Sequence, residues 1–477
     1  MKIAINWFRR DLRVSDNVSL SEATRRAECV IPVFILEDAL RTGPDVGAAR
    51  LAFLLRSVES LRENLKCLGY TLIVRRGRSE VEIPKLCRET GAHAVFCNKR
   101  YEPYAQARDQ RVFNALNSIG VGFESFKDSV VWEEREILTQ AGNPFTVFTP
   151  YSKAWKLRPI PEPRARLKPA GTSAKMIPSE PLPTDPAEFG HPLKQTIPPT
   201  GERAASLALQ NFLDGPVLAY GEARDHPAAD GTSRLSPHLR CGTFGIRTIL
   251  KKLNGIRRGV PASQHAGIGV FLNELIWREF YLQVLSNFPH VMNRCFRPAF
   301  DALDWPGNPA HFQAWCEGAT GYPIVDAAMR CLNATGWMHN RLRMIVAMFL
   351  TKDLLINWQM GERYFMQQLV DGDLAANNGG WQWSAGTGTD AAPYFRIFNP
   401  VSQAGKCDEN GDFVRKWVPE LAGLPANLVH QPWNAPLTLR ASGYPDRIVI
   451  HERQREKCLA MFKQVIGPNS TGKPYPT

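Results

Sequence analysis

The stretch IAINWFRRDLR, residues Ile3–Arg13, opens the chain and decides the fold of its first part. Its first six residues form a short, mostly apolar run with two isoleucines, which is typical of a buried strand in a parallel sheet. A dinucleotide-binding protein would continue with the glycine pattern G-x-G-x-x-G, whereas this chain continues with Arg9–Arg13. The opening therefore predicts a parallel sheet without an ordinary NAD site.

Similar apolar runs follow, and helical stretches separate them. The predicted strands are Ile3–Phe8, Val30–Leu36, Tyr70–Val74 and Ala94–Cys97. Apolar residues recur at helical spacing in Ala48–Leu68 and Pro103–Leu116. Alternating strands and helices imply right-handed βαβ units. Residues 1–130 are therefore predicted to form an α/β domain with a Rossmann-like parallel sheet.

Proline marks the middle of the chain. Residues 159–199 hold 11 of the 36 prolines, and proline removes backbone donors and fixes φ. This composition predicts an extended interdomain linker, which we place at 131–200. Beyond it we predict an all-α domain over 201–477, from helical spacing in Ala204–Leu218, Gly245–Lys252, Gly267–Asn287, Asp326–Asn333, Arg341–Gln359, Glu362–Leu369 and His451–Val465.

The composition limits the functional classes. With 44% hydrophobic and 22% charged residues among 477, the chain is typical of folded soluble proteins. Its net charge of +12 indicates a polyanionic partner, without separating DNA, RNA, an acidic membrane surface and a phosphorylated ligand. Ten scattered cysteines predict reduced thiols and neither a zinc site nor a disulfide framework. With no signal segment and no apolar run near the roughly 20 residues of a membrane span, we expect a cytoplasmic protein.

Three short segments are candidates for binding, and each also has an ordinary explanation. GTSRLSP, residues 231–237, offers hydroxyls and an arginine for an anion at a helix N-terminus, although spacing alone favours a plain cap. Arg341 and Arg343 lie on different faces of a predicted helix, so that one can meet a phosphate while the other pairs inward, or both can be solvated. One helix face could line a pocket or carry a simple ion pair; it holds Glu274, Trp277, Arg278 and Tyr281.

The least ordinary stretch is DGDLAANNGGWQW, residues 371–383. Two carboxylates, two asparagines and three glycines are poor material for a core. Glycine-rich backbone permits close approach of a ligand, and Asn and Asp side chains can bind the polar edge of a heterocycle. The alternative is a capped loop between helices.

In order along nearly the whole chain, these segments resemble the photolyase/cryptochrome flavoproteins, above all the bacterial-type (class I-like) cyclobutane pyrimidine dimer photolyases. The resemblance is carried by Trp7–Arg13, Gly231–Pro237, Asn273–Tyr281, Gly321–Ala327, Thr335–Met344, Asp371–Trp383 and Asp390–Phe398. It implies an α/β antenna domain joined by a linker to an all-α domain that binds FAD, which works in its reduced form.

The resemblance also implies which residues bind FAD. Arg343 should pair with Asp371 close to the flavin, with Asp373 nearby. Asn377 should face the flavin N5, where plant cryptochromes usually have Asp and animal ones Cys. The phosphates and the adenosine should be held by Tyr220, Thr232, Ser233, Arg234, Leu235 and Ser236.

For UV-damaged DNA, the resemblance implies a set of substrate residues that receive a flipped-out dimer. Glu274 and Asn340 should hydrogen-bond the damaged bases, with Glu274 stabilising the charge that develops on the dimer. Trp277 and Trp383 should pack against the dimer and Met344 should lie under it. Arg278 and Tyr281 belong to the same substrate set, and phosphate contacts are expected from Arg224, Arg341 and Arg396.

The implied activity is a light-driven lyase reaction, in which the excited flavin lends an electron that splits the dimer. Trp381, Trp358 and Trp305 are expected to relay electrons from the surface to an oxidised flavin. Alternatives are a blue-light photoreceptor, a (6-4) photolyase, which Met344 disfavours, and a single-strand-preferring photolyase. Cryptochromes often carry a long C-terminal extension, and none is expected here. We expect a monomer that needs no protein partner and no membrane.

The antenna chromophore is left open by the resemblance. Folate-binding members carry an Asn-Glu pair where this chain has Tyr101–Asp109. This departure favours 8-hydroxy-5-deazaflavin over 5,10-methenyltetrahydrofolate, while a second flavin or an empty site are further alternatives.

Overall fold

The structure, a computed structural model, describes residues 1–165, 167 and 177–466. One parallel sheet has the strand order β3-β2-β1-β4-β5. Its strands are Ile3–Phe8 (β1), Cys29–Leu36 (β2), Ile73–Arg76 (β3), Ala94–Asn98 (β4) and Gly122–Phe126 (β5). The predicted α/β fold is confirmed. The predicted third strand is displaced along the chain, and β5 escaped prediction because this edge strand is only half-buried.

Helices make up most of the remaining secondary structure. The first eleven are Val18–Arg26 (α1), Ala39–Thr42 (α2), Ala48–Cys67 (α3), Ser79–Thr90 (α4), Pro103–Asn117 (α5), Phe148–Lys156 (α6), Gly201–Leu213 (α7), Pro216–Ala223 (α8), Ser236–Cys241 (α9), Ile246–Gly259 (α10) and His265–Asn287 (α11). They are followed by Pro309–Glu317 (α12), Pro323–Thr335 (α13), Asn340–Met348 (α14), Trp358–Gln368 (α15), Leu374–Ala385 (α16), Pro400–Cys407 (α17), Asp412–Trp417 (α18), Ala426–Val429 (α19), Pro436–Ser442 (α20) and His451–Ile466 (α21). The all-α character of the second half is confirmed. In the ranges described, no helix has the length and apolarity needed to cross a membrane.

The turn after β1 occupies the corner of the sheet where the strand order reverses. In dinucleotide-binding folds this corner receives the ligand. Here side chains fill it: Asn98 Nδ2 donates to Asp11 Oδ2 at 2.7 Å, and Arg9 Nη1 lies 2.6 Å from Asp109 Oδ2. The arginine-rich turn thus replaces a phosphate-binding loop with an internal polar network.

Two predicted helices are interrupted. The predicted helix 204–218 breaks at Pro216, which starts α8, because proline lacks the N–H and clashes with a preceding helical turn. The predicted helix 341–359 ends at Met348 and continues as one π-helical turn, Phe349–Asp353. Leu355 then has a φ of +52°, and Asn357 caps α15 by accepting from Gln359 N at 2.9 Å. The sequence does not reveal this break, because the residues on both sides of it pack into one core and the regular spacing of apolar residues continues through it.

Contacts divide the chain into two compact units. The first unit comprises 1–145, 149–221 and 232–287, and the second comprises 146–148, 222–231 and the chain from Phe288 onward. This division differs from the predicted boundaries at 130 and 200. Arg247 of α10 is one reason, because it donates to Asp16 at 2.9 Å and to Asp128 at 2.8 Å. Positions 166 and 168–176 of the predicted linker, and 467–477 of the predicted second domain, lie outside the described residues.

Candidate functional site

Residues 374–383 of the unusual stretch belong to α16, so the alternative of a capped loop is wrong for all but 371–373. Asp373 caps α16 by accepting from Ala376 N at 3.4 Å. The expectation that this stretch makes a poor core is also wrong, because Trp381 and Gln382 are each only 2% exposed. Gln382 donates to Val291 O at 3.1 Å and accepts from Phe296 N at 2.8 Å. Paired amides can enter a core, since their hydrogen bonds offset desolvation.

Arg343 and Asp371 form the ion pair that the resemblance implies. Arg343 Nη2 lies 2.8 Å from Asp371 Oδ2, and the Asp371 side chain is 2% exposed. The second oxygen, Oδ1, is buried and has no hydrogen-bond donor among the described residues. A buried acceptor without a donor costs free energy. This position therefore fits a ligand that donates a hydrogen bond.

Asn377 has a fixed amide orientation. Its Nδ2 donates to Glu362 O of α15 at 3.0 Å. The neighbouring Asn378 donates to Glu362 Oε1, also at 3.0 Å. With Nδ2 turned toward α15, Asn377 presents Oδ1, an acceptor, on its other side.

Arg341 pairs separately from Arg343. Its Nη2 and Nε lie 2.5 and 3.1 Å from Asp225 Oδ1. A DNA phosphate would therefore have to share Arg341 with Asp225. His339 caps α14 by accepting from Arg341 N at 3.2 Å, and burial, together with Arg343, lowers the pKa of His339 to about 4. The neutral ring caps the helix, and its buried Nε2 has no hydrogen-bond partner among the described residues.

The other predicted residues of the second unit differ in exposure. Met344 and Trp383 are half-buried against the core of this unit. Asn340 is exposed at the start of α14, Arg224 is half-buried, and Arg396 is exposed with its guanidinium 5.7 Å from the Phe398 ring. The three tryptophans expected to form a relay differ in burial: Trp381 and Trp358 are 2% exposed and Trp305 is half-buried.

In the first unit, the predicted face of α11 exists. Trp277 and Tyr281 have ring centroids 5.3 Å apart, and Arg278 Nη1 donates to Ser129 O at 2.7 Å. All four residues of the face, Glu274, Trp277, Arg278 and Tyr281, are half-buried. Sequence reasoning missed the adjacent Glu279, which is 2% exposed and accepts from Trp155 Nε1 at 2.7 Å. It anchors the helix that presents the face.

The segment before α9 differs from a plain helix cap. The N-cap residue is Leu235, and no side chain caps this helix. Ser233 Oγ instead accepts from Leu235 N at 3.4 Å, and Arg234 has a φ of +50°, which is uncommon for a residue with a side chain. Thr232 and Ser233 are half-buried and Ser236 is exposed. Tyr220 is 9% exposed, with ring centroids 5.6 Å from Phe212 and 5.5 Å from Phe271.

A group of arginines in the first unit also escaped sequence reasoning. Arg50 of α3 is 7% exposed. Burial, together with the nearby Arg240 and Arg10, lowers the pKa of Arg50 to about 9, while Asp45 acts in the opposite direction. The only signal in the sequence is a cation inside the apolar stretch 48–68. Arg10 itself pairs with Glu102, whose Oε1 lies 2.6 Å from Arg10 Nη1.

Comparisons with known proteins identify the family of this chain. Residues 4–168 match the family model for DNA photolyase, and residues 271–464 match that for the FAD binding domain of DNA photolyase. A deoxyribodipyrimidine photo-lyase of Escherichia coli K12 is 43% identical over 471 residues, which cover 96% of this chain and 98% of the relative.

Solved structures show the same likeness. A bacterial class III photolyase from Agrobacterium tumefaciens superposes with a TM-score of 0.88 at 39% identity, covering 98% of each chain. A Synechocystis cryptochrome superposes with a TM-score of 0.84 at 27% identity, covering 97% of this chain and 99% of the other. At this identity and coverage, the chain belongs to the DNA photolyase family.

Proposed function

We propose that this protein is a light-driven lyase that splits cyclobutane pyrimidine dimers in DNA. The observation that carries the proposal is the buried Oδ1 of Asp371, which lies beside Arg343 and has no donor among the described residues. FAD, bound in reduced form, supplies an electron that splits the cyclobutane ring after excitation by light and then returns. The carbon–carbon bonds are cleaved without net oxidation or reduction.

The residues present fit reduced FAD. Asp371 offers an unpaired acceptor to a ligand N–H or O–H, and Arg343 supplies positive charge beside it. Asn377 presents Oδ1, and an acceptor there suits a flavin that carries a proton on N5. By motif position, Asp373 lies near the flavin. Tyr220 and residues 232–236 bind the phosphates and the adenosine of FAD.

The substrate residues are assigned by the same motifs. Glu274 and Asn340 bind the bases, Trp277 and Trp383 pack against them, and Met344 favours the cyclobutane over the (6-4) lesion. Arg224, Arg341 and Arg396 meet phosphates, in agreement with a net charge of +12. The substrate face also holds Arg278 and Tyr281. The protein acts as a monomer on chromosomal DNA in the cytoplasm.

Repair of a defined lesion tests this function. Purified protein with chemically reduced FAD is mixed with an oligonucleotide holding one thymine cyclobutane dimer, under blue or near-UV light and in the dark. We expect intact thymines to return only in the light. Flavin binding without repair of this lesion or of a (6-4) lesion would contradict the proposal and favour the photoreceptor alternative.

Glu274→Ala should slow repair by about 100-fold, the lower end of the range seen when a group that stabilises developing charge is removed. FAD content should not change, because Glu274 is assigned to the bases. Single-turnover repair and the ratio of flavin to protein absorbance measure the two effects. Glu274→Gln is the matched control, since it keeps a hydrogen-bonding side chain and should retain more activity. A flavin-free Glu274→Ala protein would show that this residue is misplaced.

The resemblance assigns an antenna chromophore to the first unit. The candidates are 8-hydroxy-5-deazaflavin and methenyltetrahydrofolate, and the sequence at 101–109 favours the deazaflavin. Extraction of non-covalent chromophores from the purified protein distinguishes these two from a second flavin and from none.

A further inference from the structure

The backbone of α15 contacts the ring of Trp381 at Gly361. A Cβ atom at Gly361 would lie 2.1 Å from Cη2 and 2.5 Å from Cζ3 of Trp381, and 2.6 Å from Cδ2 of Leu350. Non-bonded carbons pack at about 3.5–4.0 Å. Any side chain at this buried position would therefore displace the indole. Gly361 lies three residues after Trp358, the first residue of α15.

Other contacts surround the same ring. Phe365, one turn after Gly361, meets Trp381 edge-to-face with centroids 5.0 Å apart, and the Trp315 centroid lies at 6.1 Å. Next to Gly361, Glu362 accepts hydrogen bonds from Asn377 and Asn378 of α16. These bonds hold α15 against α16, and the Trp381 indole occupies the space left by the missing side chain of Gly361.

We propose that Gly361 is a positioning residue of the electron relay, because it sets the approach of Trp381 to the helix that begins with Trp358. This inference rests on the proposed function, which assigns the relay to Trp381, Trp358 and Trp305. With oxidised FAD bound, illumination would draw one electron from Trp381, which Trp358 would replace; Trp305 would then replace the electron of Trp358, and a soluble thiol that of Trp305. Two such transfers would oxidise two thiols to one disulfide and release two protons, of which one would go to the reduced flavin anion and one to solvent.

Gly361→Ala tests the inference, with Gly405→Ala as the matched control. Gly405 lies inside α17, is exposed, and a Cβ there would meet nothing within 4 Å. We expect Gly361→Ala to bind FAD and to repair DNA normally after chemical reduction. Its photoreduction with thiol should be at least about tenfold slower, since displacement of a reacting group by about 1 Å can cost 100-fold. Transient absorption should show a lower yield of tryptophan radical, and Gly405→Ala should match the wild type.

Two further variants separate the possible failures. If Trp381→Phe photoreduces normally, the proposed relay is wrong. If Trp381→Phe is blocked but Gly361→Ala behaves like Gly405→Ala, the relay stands and the positioning role is wrong.

The double variant covers the case in which Gly361→Ala does not fold. Trp381→Phe removes ring atoms that the new methyl would meet, so the two substitutions should be coupled in thermal unfolding without FAD. A double variant that folds where Gly361→Ala does not would locate the clash at Trp381 and support the inference. If neither folds, Gly361 serves other contacts and the inference is overturned.

Discussion

Trp381→Phe is expected to abolish photoreduction of oxidised FAD while repair by chemically reduced protein stays normal. Phenylalanine is much harder to oxidise than tryptophan, so the relay loses its first donor. The substitution keeps an aromatic ring in a position that is 2% exposed and bordered by Phe365 and Trp315. Steady-state illumination with thiol, followed by flavin absorbance, measures the loss.

Trp315→Phe is the matched control. Trp315 is fully buried, lies 6.1 Å from Trp381 and donates Nε1 to Val346 O at 3.1 Å. It is not assigned to the relay, so this variant should photoreduce normally. If photoreduction were blocked in Trp315→Phe, Trp315 would have to belong to the path of electron transfer to the flavin. Repair lost in reduced Trp381→Phe would instead show that Trp381 acts in repair itself.

Asp128→Ala should lower the free energy of unfolding by about 3–5 kcal/mol, the range for breaking a buried ion pair from one side. Asp128 is 1% exposed, 2.7 Å from Arg13 Nη2 and 2.8 Å from Arg247 Nη2. Its removal leaves two arginines in the interior without this counter-charge. Chemical denaturation of the holoprotein, followed by fluorescence and circular dichroism, measures the change.

The same carboxylate carries a pH dependence. Burial raises the pKa of Asp128, but Arg13 and Arg247 outweigh burial, so the net pKa lies below the ordinary value. Its contribution to stability is therefore complete above about pH 4 and is lost as the pH falls further. The variant should lack this part of the acid sensitivity.

Glu162→Ala is the control for a surface pair. Glu162 Oε2 lies 2.7 Å from Lys251 Nζ, and both side chains are more than half exposed. Its loss should cost less than about 1 kcal/mol. Equal effects of the two substitutions would contradict a special role for the buried network.

The sequence predicts the strands and helices whose buried residues form one regular apolar pattern. Ile3–Phe8 matches β1 to the residue, because a central parallel strand is buried on both faces and reads as one apolar run. The edge strand β5 carries no such run. The break between α14 and α15 is hidden because Phe349 and Leu350 keep the apolar period while the backbone changes to a π turn.

The candidate site also contains residues that the sequence reveals and residues that it does not. The family resemblance leads to Arg343, Asp371 and Asn377, since each lies in a motif that carries the resemblance. Gly361 has no local signal, because its role depends on its contact with Trp381 in the next helix, and the burial of Arg50 shows in the sequence only as a cation in the apolar stretch 48–68. The inward pairing of Arg341 with Asp225 is a long-range contact of the same kind.

The bond from Asn377 Nδ2 to Glu362 O has an evolutionary consequence. An aspartate at 377 would turn a carboxylate oxygen toward that carbonyl and donate nothing to it, and a cysteine would replace a strong donor with a weak one. Replacing this asparagine with the aspartate or cysteine of the photoreceptors therefore removes or weakens this hydrogen bond, so the substitution alone carries a cost. A lineage that takes it needs a compensating donor for Glu362 O, so divergence of repair and signalling within this scaffold should leave paired substitutions at the junction of α15 and α16.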